Sequence, residues 1–248
     1  MHRHIGASCL VGLLLSSASS AHAIIRRDDK PDPLYVAAAA QQPQPIVLRR
    51  APRGASDGMG TFVSDRWLVT AAHVAEGLSI GKPLPDDPSV VVETVVLHPE
   101  WQGPQNDIAL VRVTSRGGYP VTPACSVEDV RQARIVLIGA GDFGDGVTGP
   151  VGHDKALRAA ENIIDEVEAL TIRFDFDPPA SGLPLEGIGG PGDSGGPAYV
   201  ASGAGVCIAG VSSGQISAPG QRGRYGAIEV YTRVSAYRPW IDSVVTAP

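Results

Sequence analysis

The chain has 248 residues and a formal net charge of -6 at pH 7, from 20 Lys and Arg against 26 Asp and Glu. No basic cluster appears, so binding to nucleic acid or to an anionic membrane has no electrostatic support. The three cysteines match no metal-site spacing, and no repeat at a fixed short period points to a solenoid or a propeller.

In chain order, residues 1–23 read as a secretory signal: Arg3 in a short charged start, an apolar stretch over 10–15, then small residues ending in Ala21, His22 and Ala23. Cleavage is expected before Ile24, giving a secreted or periplasmic protein. The apolar run is too short to span a bilayer, and no later segment approaches the roughly 18 to 20 apolar residues required, so no membrane anchor is expected. Cys9 is preceded at Gly6 by a glycine where a lipid-attachment box wants leucine, and Arg26 and Arg27 follow the apolar run instead of preceding it. A lipoprotein anchor and twin-arginine export are both set aside. Removing the signal from the 248 residues leaves 225, enough for one large all-β domain or two small ones. Cys125 and Cys207 then remain for one disulfide in an oxidising compartment.

Thirty glycines and 21 prolines divide the rest into short apolar runs, several rich in β-branched residues. Strands are predicted over 45–48, 67–70, 90–97, 108–113 and 134–138, and again over 166–176, 205–212 and 227–234. Residues 34–42 predict a short alanine-rich helix confined by Pro31, Pro33 and Pro43. The glycine-rich stretch 141–152 reads as a mobile surface loop. From Ser235, apolar Tyr237, Trp240, Ile241 and Val244 recur at helical spacing and predict a terminal helix over 235–246.

Three segments carry residues suited to acyl transfer, which needs a hydroxyl nucleophile, an imidazole base, an orienting carboxylate and N–H donors for an oxyanion. His73 follows a predicted strand through the small residues Ala71 and Ala72, and Asp107 opens an apolar run. Taken singly, they read equally well as a structural histidine and a turn acid. Ser194 lies between Gly192 and Gly195 in a segment whose glycines permit a tight turn with converging backbone N–H groups. The same glycine–serine pattern also satisfies the nucleophile elbow of α/β-hydrolases, but that reading needs a histidine after the serine and the last histidine is His153. A subtilisin order would place the acid before His73; Asp57 and Asp65 precede it, but in segments unlike that family.

Thr70-Ala71-Ala72-His73, Asp107-Ile108-Ala109-Leu110 and Gly192-Asp193-Ser194-Gly195-Gly196-Pro197, in this order, resemble the three signatures of the chymotrypsin-like (trypsin) family of serine endopeptidases, in a bacterial-type exported form. Leu97 to Trp101, Val211-Ser212, Gly214 and Val230 to Val234 follow the family's order, so the resemblance runs from about Gly58 to the C-terminus. It implies an all-β fold of two six-stranded Greek-key barrels, over about 24–120 and 121–234, with the active site between them and a helix at the end. It further implies Ser194 as nucleophile, His73 as general base and acid, Asp107 as the orienting carboxylate, and an oxyanion hole from the N–H groups of Gly192 and Ser194. Ser212 resembles the residue that hydrogen-bonds near the triad acid, and Ser212, Ser213 and Gly214 are expected to pair with an extended substrate. His98 is read as structural.

The resemblance calls for no cofactor and no metal; Asp86 and Asp87 lack the spread of acids of a calcium loop. Partners expected from it are polypeptide substrates and protein inhibitors, acting on a monomer. Cysteines that usually bracket the histidine and the serine are absent, and Cys125 lies where the family often has a cysteine that closes onto another segment, with Cys207 as its candidate partner. In this family a new isoleucine or valine amine pairs with the acid before the nucleophile, here Ile24 and Asp193, although Arg26 and Arg27 replace the usual glycines. Counting back from Ser194 puts Ile188 at the floor of the specificity pocket, and Glu229 falls at another lining position or is a solvated strand acid. Aromatic, aliphatic and basic side chains are all left open as the preferred residue. A protease-fold binding module without turnover is the alternative reading of the whole.

Overall fold

The computed structural model describes residues 23–49, 58–203 and 205–247, so residues 1–22 of the expected signal lie outside the described residues. The chain opens with strand β1 (Ile24–Arg26) and helix α1 (Pro33–Ala39). Pro33 is tolerated at the first helical position, where its missing N–H is not needed. Sheet formation starts with β2 (Ile46–Arg49), β3 (Gly58–Phe62) and β4 (Trp67–Thr70), followed by the one-turn helix α2 (Ala72–Ala75), β5 (Val92–Leu97) and β6 (Ala109–Val113). These strands form a five-stranded sheet in the order β2-β3-β4-β6-β5, antiparallel throughout. Leu68, Val69, Leu110 and Val111 are fully buried in it, each worth about 1.5–3 kcal/mol relative to exposure.

The second half contributes β7 (Arg134–Gly139), β8 (Asp142–Asp145), β9 (Gly149–His153), β10 (Arg158–Ile163), β11 (Glu166–Val167), β12 (Thr171–Asp175), β13 (Gly187–Ile188), β14 (Pro197–Ser202), β15 (Gly205–Ile216) and β16 (Ile228–Arg233). Seven of these make a sheet in the order β10-β7-β14-β15-β16-β12-β11. The fold is therefore mostly β, with two curled sheets and few helices, and the expected two-barrel architecture holds. The strand counts are five and seven, together with a small sheet β13-β1-β8-β9, where six and six were expected. A 3₁₀ turn (Val234–Tyr237) leads into the terminal helix α3 (Arg238–Val245), so the helix proper begins three residues after the predicted start.

Three expectations change. Residues 24–39 do not open the first barrel: β1 pairs with β8 and β13, and α1 packs on β10, all from the second half. Two buried contacts stand out among those that hold this arm. Tyr35, fully buried, donates its hydroxyl to the Glu186 carbonyl at 3.0 Å, and Arg158, 2% exposed, bonds Asp32 at 2.7 Å and Asp154 at 3.0 Å. The stretch 141–152 is not a free loop but the β8-β9 hairpin, with β1 on its other edge. The predicted helix over 34–42 ends early, at Ala39.

Cys125 and Cys207 form a disulfide with their Cα atoms 5.0 Å apart, joining the segment after the first sheet to β15. In a chain-entropy account such a crosslink contributes about 2–4 kcal/mol. Among the described residues no helix is long and apolar enough to cross a membrane.

Candidate active site

His73 lies in α2, immediately after β4 ends. Ala71 and Ala72 are fully buried, and their small side chains let this turn pack directly on the sheet while the His73 side chain stays 34% exposed. Its partner comes from the start of β6. Asn106 takes the left-handed conformation (φ 52°), which asparagine tolerates better than most residues, and this turn delivers Asp107 inward. Tyr237 donates its hydroxyl to Asn106 Oδ1 at 2.9 Å, and Thr232 Oγ1 donates to the Asp107 carbonyl at 2.8 Å. His98 packs edge-on against Tyr237 and Trp240, in agreement with a structural role.

The Asp107 carboxyl is 2% exposed and receives three hydrogen bonds. Oδ1 accepts from the His73 backbone N–H at 3.0 Å, while Oδ2 faces His73 Nδ1 at 2.7 Å and accepts from Ser213 Oγ at 2.6 Å. A carboxylate at Nδ1 assigns the ring proton to that nitrogen, which leaves Nε2 with its lone pair toward the cleft.

The residue that touches the acid is thus Ser213, and not Ser212 as the family resemblance implies. The cause is a β-bulge: the β15-β16 register shifts between Ser212 and Gly214, turning Ser213 toward Asp107. Ser212 instead uses its backbone, accepting from Gly195 N at 2.8 Å and donating to Gly196 O at 2.9 Å.

Ser194 occupies the turn between β13 and β14. Gly192 (φ 99°) and Gly195 (φ 79°) supply its left-handed positions, and a Cβ on Gly195 would stand 2.3 Å from both the Met59 carbonyl and Thr70 Oγ1. Only glycine allows this approach. Met59 N bonds Ser194 O at 2.8 Å, so the turn is stitched to β3 on one side and, through Gly195, to β15 on the other. This brings Ser194 to the junction of the two sheets, beside the β4–α2 corner that carries His73. Among the described residues no hydrogen bond joins the Ser194 hydroxyl to His73, and the N–H groups of Gly192 and Ser194 have no acceptor. Such contacts commonly tighten only when a ligand binds.

Asp193 points the other way, into the protein. Its buried carboxyl accepts from Gly141 N at 2.7 Å and Gly190 N at 2.8 Å, and desolvation pushes its pKa up to about 6. β1 runs beside both of these segments: Ile24 pairs with Phe143 and Ile25 with Ile188. Ala23, Ile24 and Ile25 are at most 1% exposed.

Ile188 is fully buried on β13. Glu229 is not solvated: it is 3% exposed on β16, and burial, the larger effect, raises its pKa to about 8 against the Gln215 hydrogen bond that lowers it. Gln215 was not among the expected site residues. Its amide bonds Glu229 Oε1 at 2.8 Å, and its own carbonyl accepts from Gly223 N at 2.7 Å. Beside Ser213 and Gln215 opens a cavity of about 700 Å³, lined among others by Leu170, Ile216, Val230 and Tyr237.

Two curled β sheets, with His73 bonded to Asp107 and the Ser194 turn tied by its backbone to β3, make up a serine-peptidase scaffold. The chain belongs to the trypsin-like peptidases: the family model described as "Trypsin-like peptidase domain" matches residues 58–208, which include all three residues, and the "Trypsin" model matches 187–241. It is also similar to trypsin Tyr p 3.0101 of Tyrophagus putrescentiae, 28% identical over 208 residues, covering 74% of this chain and 70% of that protein.

Proposed function

We propose that the chain is an exported serine endopeptidase that hydrolyses peptide bonds through an acyl-enzyme on Ser194. The observation that carries this reading is the three-bonded Asp107 carboxylate, which fixes His73 in the tautomer a general base requires. In the mechanism so supported, His73 Nε2 removes the Ser194 proton as Oγ attacks the carbonyl, then returns it to the leaving amine. Asp107 stays ionised and stabilises the imidazolium. The oxyanion is received by the N–H groups of Gly192 and Ser194, at the left-handed turn that Gly192 permits. Water repeats the sequence to release the acid.

The reading includes activation by removal of the signal. An amine at Ile24 would emerge beside the segments that hold Asp193, and an ammonium there would offset the burial of that carboxylate. The disulfide supports an oxidising destination.

A fluorophosphonate probe tests the chemistry: the mature protein should label and Ser194→Ala should not. Folded wild-type protein that stays unlabelled would favour the binding module. N-terminal sequencing of active protein should begin at Ile24, and Asp193→Asn should lower activity by about 100-fold or more, the scale of losing ordered oxyanion donors. A start at Gly54 or later removes the activation proposal.

A further inference from the structure

His153, the last residue of β9, stands across the hairpin ladder from Asp142, the first residue of β8. Its Nδ1 lies 2.9 Å from the Gly141 carbonyl, a contact that requires the ring proton on Nδ1. The Asp142 carboxylate is 3.6 Å from the same nitrogen, too far for a hydrogen bond, so the carbonyl is the partner. The Asp142 N–H shares a planar peptide with that carbonyl and donates to the Pro191 carbonyl at 2.6 Å. A histidine 29% exposed at the surface is thereby joined to the Ser194 turn through backbone alone.

Residues 190–193 form a β-turn, closed by Asp193 N donating to the Gly190 carbonyl at 3.1 Å, with Pro191 second and Gly192, at φ 99°, third. Proline followed by a residue of positive φ is the type II pattern. The type I turn keeps the same ends with a negative φ at the third position, so the two differ by rotation of the central peptide. Here the central peptide is Pro191–Gly192, and its N–H is one of the two oxyanion donors of the mechanism above. Neither residue resists the rotation: proline suits the second place of both turns, and glycine takes either sign of φ. The Asp193 carboxylate bonds Gly190 N and Gly141 N, which lie outside that peptide. What holds the Gly192 N–H outward is therefore the bond at the opposite end of its peptide, from Asp142 N to the Pro191 carbonyl. The fit there is close: a Cβ on Gly141 would lie 2.5 Å from the Pro191 oxygen, and one on Gly190 2.0 Å from the Asp142 oxygen.

We propose that His153 is a positioning residue for the oxyanion donor at Gly192: by fixing the Gly141–Asp142 peptide, it holds the Pro191–Gly192 peptide with its N–H toward the substrate carbonyl. This rests on the endopeptidase reading above. Two peptide groups stand in series between the imidazole and the donor, and hydrogen bonds in such a chain polarise one another. Gly141 is buried, so removing the His153 N–H takes a donor from a carbonyl that water reaches poorly. That peptide then tilts in search of another partner and weakens its own N–H bond to Pro191. The turn relaxes to type I, and the Gly192 N–H swings away from the cleft.

The test compares His153→Phe, which keeps an aromatic ring and removes the donor, with His153→Asn, whose amide nitrogen sits at the δ position like Nδ1. On a peptide substrate His153→Phe should lower kcat by about tenfold or more, short of the about 100-fold or more of losing an oxyanion donor outright. KM should change by less than about twofold, and His153→Asn should recover most of the lost kcat. Inhibition by a peptide aldehyde, whose hemiacetal oxygen occupies the oxyanion site, should weaken by the same factor as kcat. Crystal structures of the two variants read the turn directly: Gly192 φ should be negative in His153→Phe and positive in His153→Asn. A His153→Phe kcat within about twofold of wild type, a loss that His153→Asn shares in full, or a turn that stays type II in His153→Phe overturns the proposal. Fluorophosphonate labelling of wild-type Ser194 then leaves the endopeptidase standing. A wild type that neither cleaves nor labels, with the turn flipped in His153→Phe alone, keeps the hold of His153 on Gly192 and overturns the endopeptidase. Should His153→Phe fail to fold, His153→Ala takes its place in every comparison.

Discussion

Asp107→Asn is expected to lower kcat/KM for peptide hydrolysis by about 10⁴-fold with the fold retained. Asparagine is nearly the same size and keeps one acceptor for the His73 backbone N–H or the Ser213 hydroxyl. Its amide nitrogen, however, donates where Oδ2 accepted, so His73 Nδ1 must become the acceptor and the ring proton moves to Nε2. The ring then presents an N–H to Ser194 in place of a lone pair. The effect belongs in kcat, and unfolding temperature serves as the control for structure. A loss below about 100-fold would mean that Asp107 does not set the tautomer, because even one oxyanion donor is worth that much.

The second large effect is on stability. Arg158→Ala is expected to destabilise the protein by about 3–5 kcal/mol, because it removes the guanidinium that bridges two carboxylates under helix α1. Arg158 is 2% exposed, and Asp32, to which it bonds at 2.7 Å, is 8% exposed and stands immediately before that helix, its carboxylate turned to Arg158 and making no capping bond. Losing the cation leaves buried negative charge that must either take up a proton or pull α1 away from β10. Denaturant unfolding of wild type and variant measures this. A change under about 1 kcal/mol would place the pair with ordinary surface ion pairs. The variant should also lower activity more than its midpoint shift alone accounts for, since α1 anchors the arm that carries β1 into the small sheet between β13 and β8.

The site was legible in the sequence where chemistry and backbone geometry impose the same residues. Gly192, Ser194 and Gly195 are such a case: the turn's positive φ angles and its contact with Met59 and Thr70 leave glycine as the only choice, so the constraint is written in the letters. Strands with β-branched runs, such as β4, β6 and β16, were legible for the same reason. β10 (Arg158–Ile163) was not, because Arg158-Ala159-Ala160-Glu161-Asn162-Ile163 has neither alternation nor β-branching until its end; β7 and α1 cover it, and tertiary contact decides its state. The β8-β9 hairpin was hidden by its glycines, two of which are there because of close approach: a Cβ on Gly144 would fall 1.9 Å from the Gly149 carbonyl, and one on Gly152 would meet the Phe143 ring.

One misplacement at the site has a cause of another kind: the resemblance sets Ser212 beside Asp107, and the bulge between Ser212 and Gly214 shifts that place by one residue. Ser213 therefore faces Asp107, and Gln215 faces Glu229. The burial of Glu229 was equally invisible, since a single acid in a strand carries no sign of which face is covered. Only the packing of Gly189 against it reveals that its carboxyl is enclosed.

β1 has three residues and both of its edges are occupied, Ile24 and Ile25 against β8 on one side and Ile25 and Arg26 against β13 on the other. Such a strand works as a ruler. A one-residue slip would send every side chain to the opposite face and bring Arg26 to the place of Ile25 against Ile188, so the register is set on both edges at once.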